Sequence, residues 1–358
     1  LTISVKPVIK IPQYKEKTVY KYIRSKPIIT KLIISILVSV RLLTVQLQAQ
    51  NAPQPSVFGT NIRLFPSDDK ALSVEYTDKT FPGDAVFIRF TTNGTILEEA
   101  AAELRSPSGD KTLIKANLYK AGTEHKGASE KTQYIALIPL SSWYEPGTFT
   151  VTLSYKLRGK EEAVLSLPVL IQSKEFVSET VNLDARNTGI KTNTSTKRKE
   201  QIERLNTILE SVDYSAVYHK GIFSLPVTQK RRTAFFADRR VYAYSNGKSS
   251  TGLHYGIDFG VPTGTPVFSC GRGKVVLAEN RVSTGYSVVI EHLPGLYSLY
   301  YHLSEFNVEE GQIVGRGQKI GLSGATGLAT GPHLHWEVRL LGRAVNPDLF
   351  TENFPIDE

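Results

Sequence analysis

The chain of 358 residues contains no methionine, two tryptophans and a single cysteine, Cys270. One cysteine excludes an internal disulfide, so an exported domain built from this chain must stand on its hydrophobic core alone. It equally excludes a structural zinc site of the closed kind, which takes four ligands and usually includes thiolates. Cys270 also lies far from the N-terminal leader, which argues against a lipid-anchored cysteine there. Basic charge is scarce where nucleic-acid binding would need it. The formal charge is +9, but residues 1–49 hold nine Lys/Arg against Glu16 alone, a net +8. Subtracting leaves about +1 on residues 50–358, and with it no footing for nucleic-acid binding by the main body.

What stands at the N-terminus reads as an export signal. A basic stretch ends at Lys31, an apolar run follows from Leu32 to Val40, and Ala49 offers a loose small-residue cleavage site before Gln50. A permanent membrane span is the rival reading. It would place Arg41 inside the apolar segment at roughly 2–3 kcal/mol, and the uncharged part is too short to cross. The expectation is a signal peptide over 1–49, with the protein exported to the periplasm or cell envelope. Membrane contact is expected only through this leader, as an anchor if it is not cleaved.

The remaining length suits about two domains. From about 56 to 172, short alternating segments are broken by turn signals such as Pro82-Gly83, Asn93-Gly94 and Pro146-Gly147. Strands at that spacing without helical runs predict an immunoglobulin-like β-sandwich. Glu98 to Leu104 is alanine-rich and suits a helix by propensity, but its flanks favour a strand. Asn93-Gly94-Thr95 matches a glycosylation acceptor, and a hairpin turn is the plainer meaning. In 173–221 this rhythm is lost. Asn187 to Thr196 reads as a polar loop, and Ile202, Leu205, Ile208, Leu209 and Val212 then recur at helical spacing. That predicts a short amphipathic helix connecting two domains.

From 222 to 352 the chain again reads as many short strands, and five of the seven histidines lie there. His333, His335 and Glu337 sit two apart, so on a strand they share one face while Leu334, Trp336 and Val338 fill the other as core. Two imidazoles about 7 Å apart along a strand can both reach one ion, or one can bind while the other works beside it. Upstream, glycine- and proline-rich flanks deny His254 and Asp258 a helix. On a straight strand they would stand roughly 13 Å apart, and Gly256 allows the bend that would join them. A His, an Asp and a second His make three ligands, the number a catalytic zinc uses when its fourth position holds water.

Together these blocks resemble the lysostaphin/LytM-type metallopeptidases that cut peptide cross-links of bacterial cell walls. The resemblance covers about 230–350. It rests on His254 with Asp258, Pro262 to Val267, Val288 to His292, Tyr301-His302-Leu303 and Gly331 to His335, in that order. Departures are Trp336 where phenylalanine is common and Cys270 where a small residue is common. The resemblance implies a small antiparallel β-sheet domain, so the chain as a whole is expected to be mainly β. It implies one zinc per chain, held by His254, Asp258 and His335, with His302 and His333 as unligated catalytic histidines. The implied reaction is metal-assisted amide hydrolysis, one of the two histidines accepting a proton and the other steadying the oxyanion.

The expected function is thus an exported zinc endopeptidase acting on peptide stems or bridges of peptidoglycan. The alternative is a non-catalytic wall-binding module that activates another hydrolase. Glu337 is a candidate partner fixing a ligand's tautomer, or else a surface salt bridge. His292 reads as structural. The glycines of Gly311 to Gly321 read as tight turns, since no phosphate-loop lysine follows them.

Overall fold

Alternating β-branched and aromatic positions in the first half form strands, because each buries one side of a pleated ribbon. The computed structural model describes residues 62–65, 72–126 and 129–351, so the leader and its expected cleavage site lie outside the described residues. In chain order the first strands are β1 (Ile62–Phe65), β2 (Leu72–Thr77), β3 (Lys79–Thr80), β4 (Ala85–Asn93) and β5 (Leu97–Arg105). Then come β6 (Thr112–Asn117), β7 (Tyr119–Lys126), β8 (Ser129–Pro139), β9 (Gly147–Leu157) and β10 (Glu162–Ile171). One sheet runs β1-β2-β4-β8-β7 and the other β3-β10-β9-β5-β6. Their facing sides share one core, with Val74, Val86, Ile88 and Phe90 from the first meeting Leu104, Val151, Leu153 and Val169 from the second.

The alanine-rich stretch is indeed strand β5. Its inward Ala102 and Leu104 are fully buried, and pairing with β6 and β9 on either side overrides helix propensity. Asn93-Gly94 turns the chain, with Gly94 at φ +70°. It does not close a hairpin, however: it carries the chain from β4 in one sheet to β5 in the other. The partner of β4 at that end is β8, and Gly94 N–H donates to the Glu130 carbonyl at 2.8 Å.

β4 is buried on both sides, which explains its unbroken apolar run. Val86, Ile88 and Phe90 face the inter-sheet core, whereas Ala85 and Phe87 join the core of the C-terminal part together with Ile135 and Leu137 of β8. Polar contacts reinforce this seam. Asn346 donates its backbone N–H to the Gly83 carbonyl at 2.8 Å and its side-chain amide to Asp84 at 3.2 Å. The described residues accordingly form one compact unit.

Between the two parts run β11 (Ser178–Asn182), α1 (Ala185–Lys191) and α2 (Thr196–Glu210). α1 replaces the polar loop expected there: Asp184 caps it by accepting from Asn187 N–H, and Asn187 and Thr188 are buried beneath it. α2 starts where the Ser195 hydroxyl accepts from Arg198 N–H and ends at Glu210, so Val212 lies beyond it. Leu205 and Leu209 pack on Leu277, Val289, Tyr297 and Leu299. Among the described residues no helix is long and apolar enough to cross a membrane.

The C-terminal strands are β12 (Arg232–Ala234), β13 (Arg239–Ala243), β14 (Ser249–Leu253), β15 (Gly256–Phe259), β16 (Pro266–Phe268) and β17 (Gly273–Arg281). β18 (Gly285–Leu293), β19 (Leu296–Phe306), β20 (Ile313–Val314), β21 (Lys319–Ser323), β22 (Leu334–Leu340) and β23 (Arg343–Val345) follow. β11 adds in parallel to β13, which pairs with β14. The other ten form one antiparallel sheet around the path β12-β15-β22-β19-β18-β17-β20. Of the glycines read as turns, Gly311 and Gly317 lie at turns with φ +88° and +75°, whereas Gly321 lies within β21, paired with Val267 and Phe306.

His292 is structural, as its sequence context suggested. It is fully buried, its Nδ1 donates to the Arg272 carbonyl at 2.9 Å, and its Nε2 lies 2.7 Å from Ser298 Oγ. Burial pushes its pKa down to about 3. The unfolded chain binds a proton below the usual histidine value near 6.5 while the folded chain does not. Stability is therefore intact above about pH 6.5 and falls as pH drops from there toward 3, by about 1.4 kcal/mol per unit. With metal chelated in both proteins, urea unfolding of His292→Gln should lose less stability between pH 6 and 4.5 than the parent. Parallel pH profiles would refute this account.

Candidate metal centre

The register of β15 against β22 makes the site. Asp258 pairs directly across from His335, and Gly256 across from Glu337. β19 flanks β22 on its other side, with Tyr301 opposite His335, which brings the neighbouring His302 alongside. Leu334, Trp336 and Val338 point the other way into the core and are fully buried, which leaves the histidine face of β22 turned toward the site.

Three lone-pair atoms converge. His254 Nε2 lies 3.0 Å from Asp258 Oδ1 and 3.0 Å from His335 Nδ1, and His335 Nδ1 lies 2.9 Å from Asp258 Oδ1. All three residues are buried. The outer nitrogen of each imidazole is already engaged. His254 Nδ1 donates to the Phe235 carbonyl at 2.8 Å, and His335 Nε2 lies 3.4 Å from Glu337 Oε2. With a cation bound, each ring so held would aim its remaining lone pair inward. Two nitrogen lone pairs and a carboxylate oxygen crowded together and buried are stable only around a positive charge. The set fits a divalent cation.

The electrostatics agree. Burial opposes charge on Asp258, yet its contacts with His254 and His335 hold it well below the usual carboxylate range. Burial likewise opposes charge on His335, but Asp258 and Glu337 push its pKa up to about 9. Glu337 is not a surface salt bridge: it is 2 % exposed, sits between His335 and Arg339, and steers His335. Tyr301 lies parallel to the His335 ring, 5.4 Å between centroids.

His302 and His333 stand beside the three without entering the set. Their rings are 4.7 Å apart, and His333 Nε2 lies 3.7 Å from Asp258 Oδ1. Each has its Nδ1 tied to a backbone carbonyl at 2.8 Å, Thr326 for His302 and Gly331 for His333. Both therefore present Nε2 as an acceptor. Burial lowers both pKa values, that of His302 to about 3, so both rings are neutral. His302 holds a left-handed φ of +61°, which is uncommon away from glycine and fits a side chain whose direction matters.

Several supporting groups carried no sequence signal. Asp258 Oδ2 receives Arg240 at 3.4 Å, and Arg240 Nε donates to Glu179 at 2.6 Å. Asn187 donates to the Ala329 carbonyl at 3.2 Å, ahead of His333, and Arg198 donates to Ser283 at 3.1 Å, beside the Thr284 carbonyl that receives His302 N–H. Gly256 has a role beyond the bend expected of it. A Cβ there would come within 2.3 Å of the Trp336 carbonyl and 2.9 Å of His335 Nε2, so only glycine lets β15 approach β22 at His335.

Residues 252–347 match Peptidase family M23. This part of the chain is similar to M23 peptidase domains. Over 122 residues the chain is 45% identical to the peptidoglycan DD-endopeptidase ShyA of Vibrio cholerae, covering 34% of this chain and 28% of that protein. Over 95 residues it is 45% identical to the DD-carboxypeptidase/endopeptidase Mpg of Neisseria meningitidis, covering 26% and 22%. Among solved structures it is similar to lysostaphin from Staphylococcus simulans, at 35% identity over 28% of this chain and 45% of that one, with a TM-score of 0.27. The chain thus spans about a quarter of the length of the curated relatives it matches.

Substituting Gly256→Ala tests the M23 site directly. The added methyl should push β22 and His335 away and weaken binding of a divalent cation by at least about tenfold, with the circular dichroism of the fold retained. Unchanged metal affinity, read by competition with a chromogenic chelator, would show that the close approach is not needed.

Proposed function

We propose that the protein is an exported zinc-dependent endopeptidase that hydrolyses peptide cross-links of bacterial peptidoglycan. The observation that carries this reading is the three-atom donor set with two neutral, unligated histidines beside it. The relatives named as peptidoglycan DD-endopeptidases support the substrate class. In this reading His254, Asp258 and His335 hold the zinc, and His302 and His333 are catalytic. Zinc in such a site supplies a polarised carbonyl and a water acidic enough to attack near neutral pH. The chain's own part follows from the tautomers. With Nδ1–H committed to a carbonyl, His302 and His333 each begin as Nε2 acceptors. Whichever takes the proton becomes a cation whose Nε2–H can donate to the developing oxyanion or the leaving amine. Both histidines and all three ligands are present, which favours the enzyme over a module that only binds the wall.

The rest of the chain follows the same proposal. Residues 1–49 serve as a signal peptide and 56–172 as an immunoglobulin-like sandwich, a reading that two sheets around one core support. Residues 173–221 connect it to the peptidase domain over 222–352.

Fragments released from purified peptidoglycan, identified by mass spectrometry, test the function. Cross-linked peptides should be converted to their halves, the conversion should stop with chelator, and zinc should restore it; no conversion by the zinc-loaded protein would sink the proposal. The roles are separable as well. His335→Ala should lose most of its zinc, because two remaining ligands hold it weakly. His302→Ala and His333→Ala should keep zinc while turnover falls by a factor on the order of 10²–10⁴. Full zinc in His335→Ala, or near-normal turnover in both of the others, would count against the assignments.

A further inference from the structure

A cleft of about 580 Å³ opens beside the metal centre, between the N-terminal layers and the β11-β13-β14 sheet. Trp143, from the segment after β8, forms one wall, and Tyr255, next to ligand His254, forms the other end. Both are well exposed, Trp143 at 63 % and Tyr255 at 45 %, and Val241 lies on the floor between Thr180 and Thr251. Exposed aromatics are commonly mobile, but these two are fixed. Arg239 lies 3.7 Å from the Trp143 ring centroid and 4.4 Å from that of Phe176, and it donates to the Ser142 and Ala237 carbonyls. Arg339, itself paired with Glu337, lies 4.7 Å from the Tyr255 ring.

The charged groups of the cleft are already engaged. Arg239 is bound by those carbonyls, and Glu179 is bound by Arg240, which in turn reaches Asp258. What remains toward solvent is aromatic surface, the aliphatic side chains of Val241 and Leu253, and hydroxyl groups. That combination suits a neutral ligand with apolar C–H faces and a fringe of hydroxyl and amide groups. Within the proposed substrate, the glycan of N-acetylated amino sugars has this chemistry, whereas the peptide stems carry free carboxylates.

We propose that this cleft is a glycan subsite, holding the sugar backbone while the attached peptide reaches the metal. The inference rests on the endopeptidase reading and adds a role for the N-terminal layers, which supply Trp143. The geometry links the two places. Tyr255 and Arg240 border the cleft and touch, by chain or by hydrogen bond, the ligands His254 and Asp258.

The two tryptophans permit a direct test, because Trp336 is fully buried and Trp143 alone is open to solvent. The full chain is titrated with a peptide-free β-1,4-linked N-acetylglucosamine oligomer while indole emission and its quenching by iodide are followed. A saturable blue shift with protection from iodide is expected, and Val241→Glu, which places a charge on the floor, should weaken it about tenfold. No saturable change overturns the proposal, as does an equal response in Val241→Glu or a response to stem peptide instead of sugar. The oligomer has no peptide cross-link to cut, so failure here is distinct from failure of the endopeptidase reading, which would appear as absent fragment release.

Discussion

The close approach of β15 to β22 is the constraint on which the rest depends. Asp258 and His335 are opposite residues of an antiparallel pair, and two such side chains on one face stand close by geometry alone. His254 needs only the short step before β15 to join them. The ladder that sets this register is fixed in turn by what lies behind it. A slip of one residue in β22 would exchange His335 for Trp336, turning an indole toward His254 and Asp258 and imidazoles into the core. The apolar half of β22 thus does as much to build the centre as the histidines do.

Around that pair the protein arranges partners in order of distance. Carbonyls of Phe235, Thr326 and Gly331 choose tautomers, and Glu337 steers His335. Farther out, Glu179 holds Arg240, and Arg240 holds the free oxygen of Asp258. Glu179 belongs to β11, Asn187 to α1 and Arg198 to α2, so a stretch that connects two parts of the chain also braces the loops beside the centre.

The three converging donors, His254, Asp258 and His335, were legible in the sequence because they are side chains in fixed spacing, and alternation in Leu334 to Val338 told which face was which. The supporting carbonyls were not legible, since every residue carries one and only the fold says where it points. Arg240 had a neighbour of the same type, Arg239, and nothing local distinguished a brace for a carboxylate from a shelf for an indole. Gly256 was noticed as a hinge, and its second property, a gap that admits β22, was not. α1 escaped because polar residues such as Asn187 and Thr188 read as loop when their burial, which depends on a distant segment, is unknown. In β5, pairing on both edges decided between two local readings that propensity alone could not separate.

Phe87 and Ala85 face away from their own sheet pair into the neighbouring core. An apolar strand buried on both sides leaves no plane along which the two parts could swing. The N-terminal layers are therefore less like a tether than like the fixed jaw of a calliper, with Trp143 at a constant offset from the three-donor centre. Selectivity in such an arrangement can be set by length as well as by chemistry: a substrate whose two features are spaced to match the offset is engaged at both ends, and one spaced otherwise is engaged at only one.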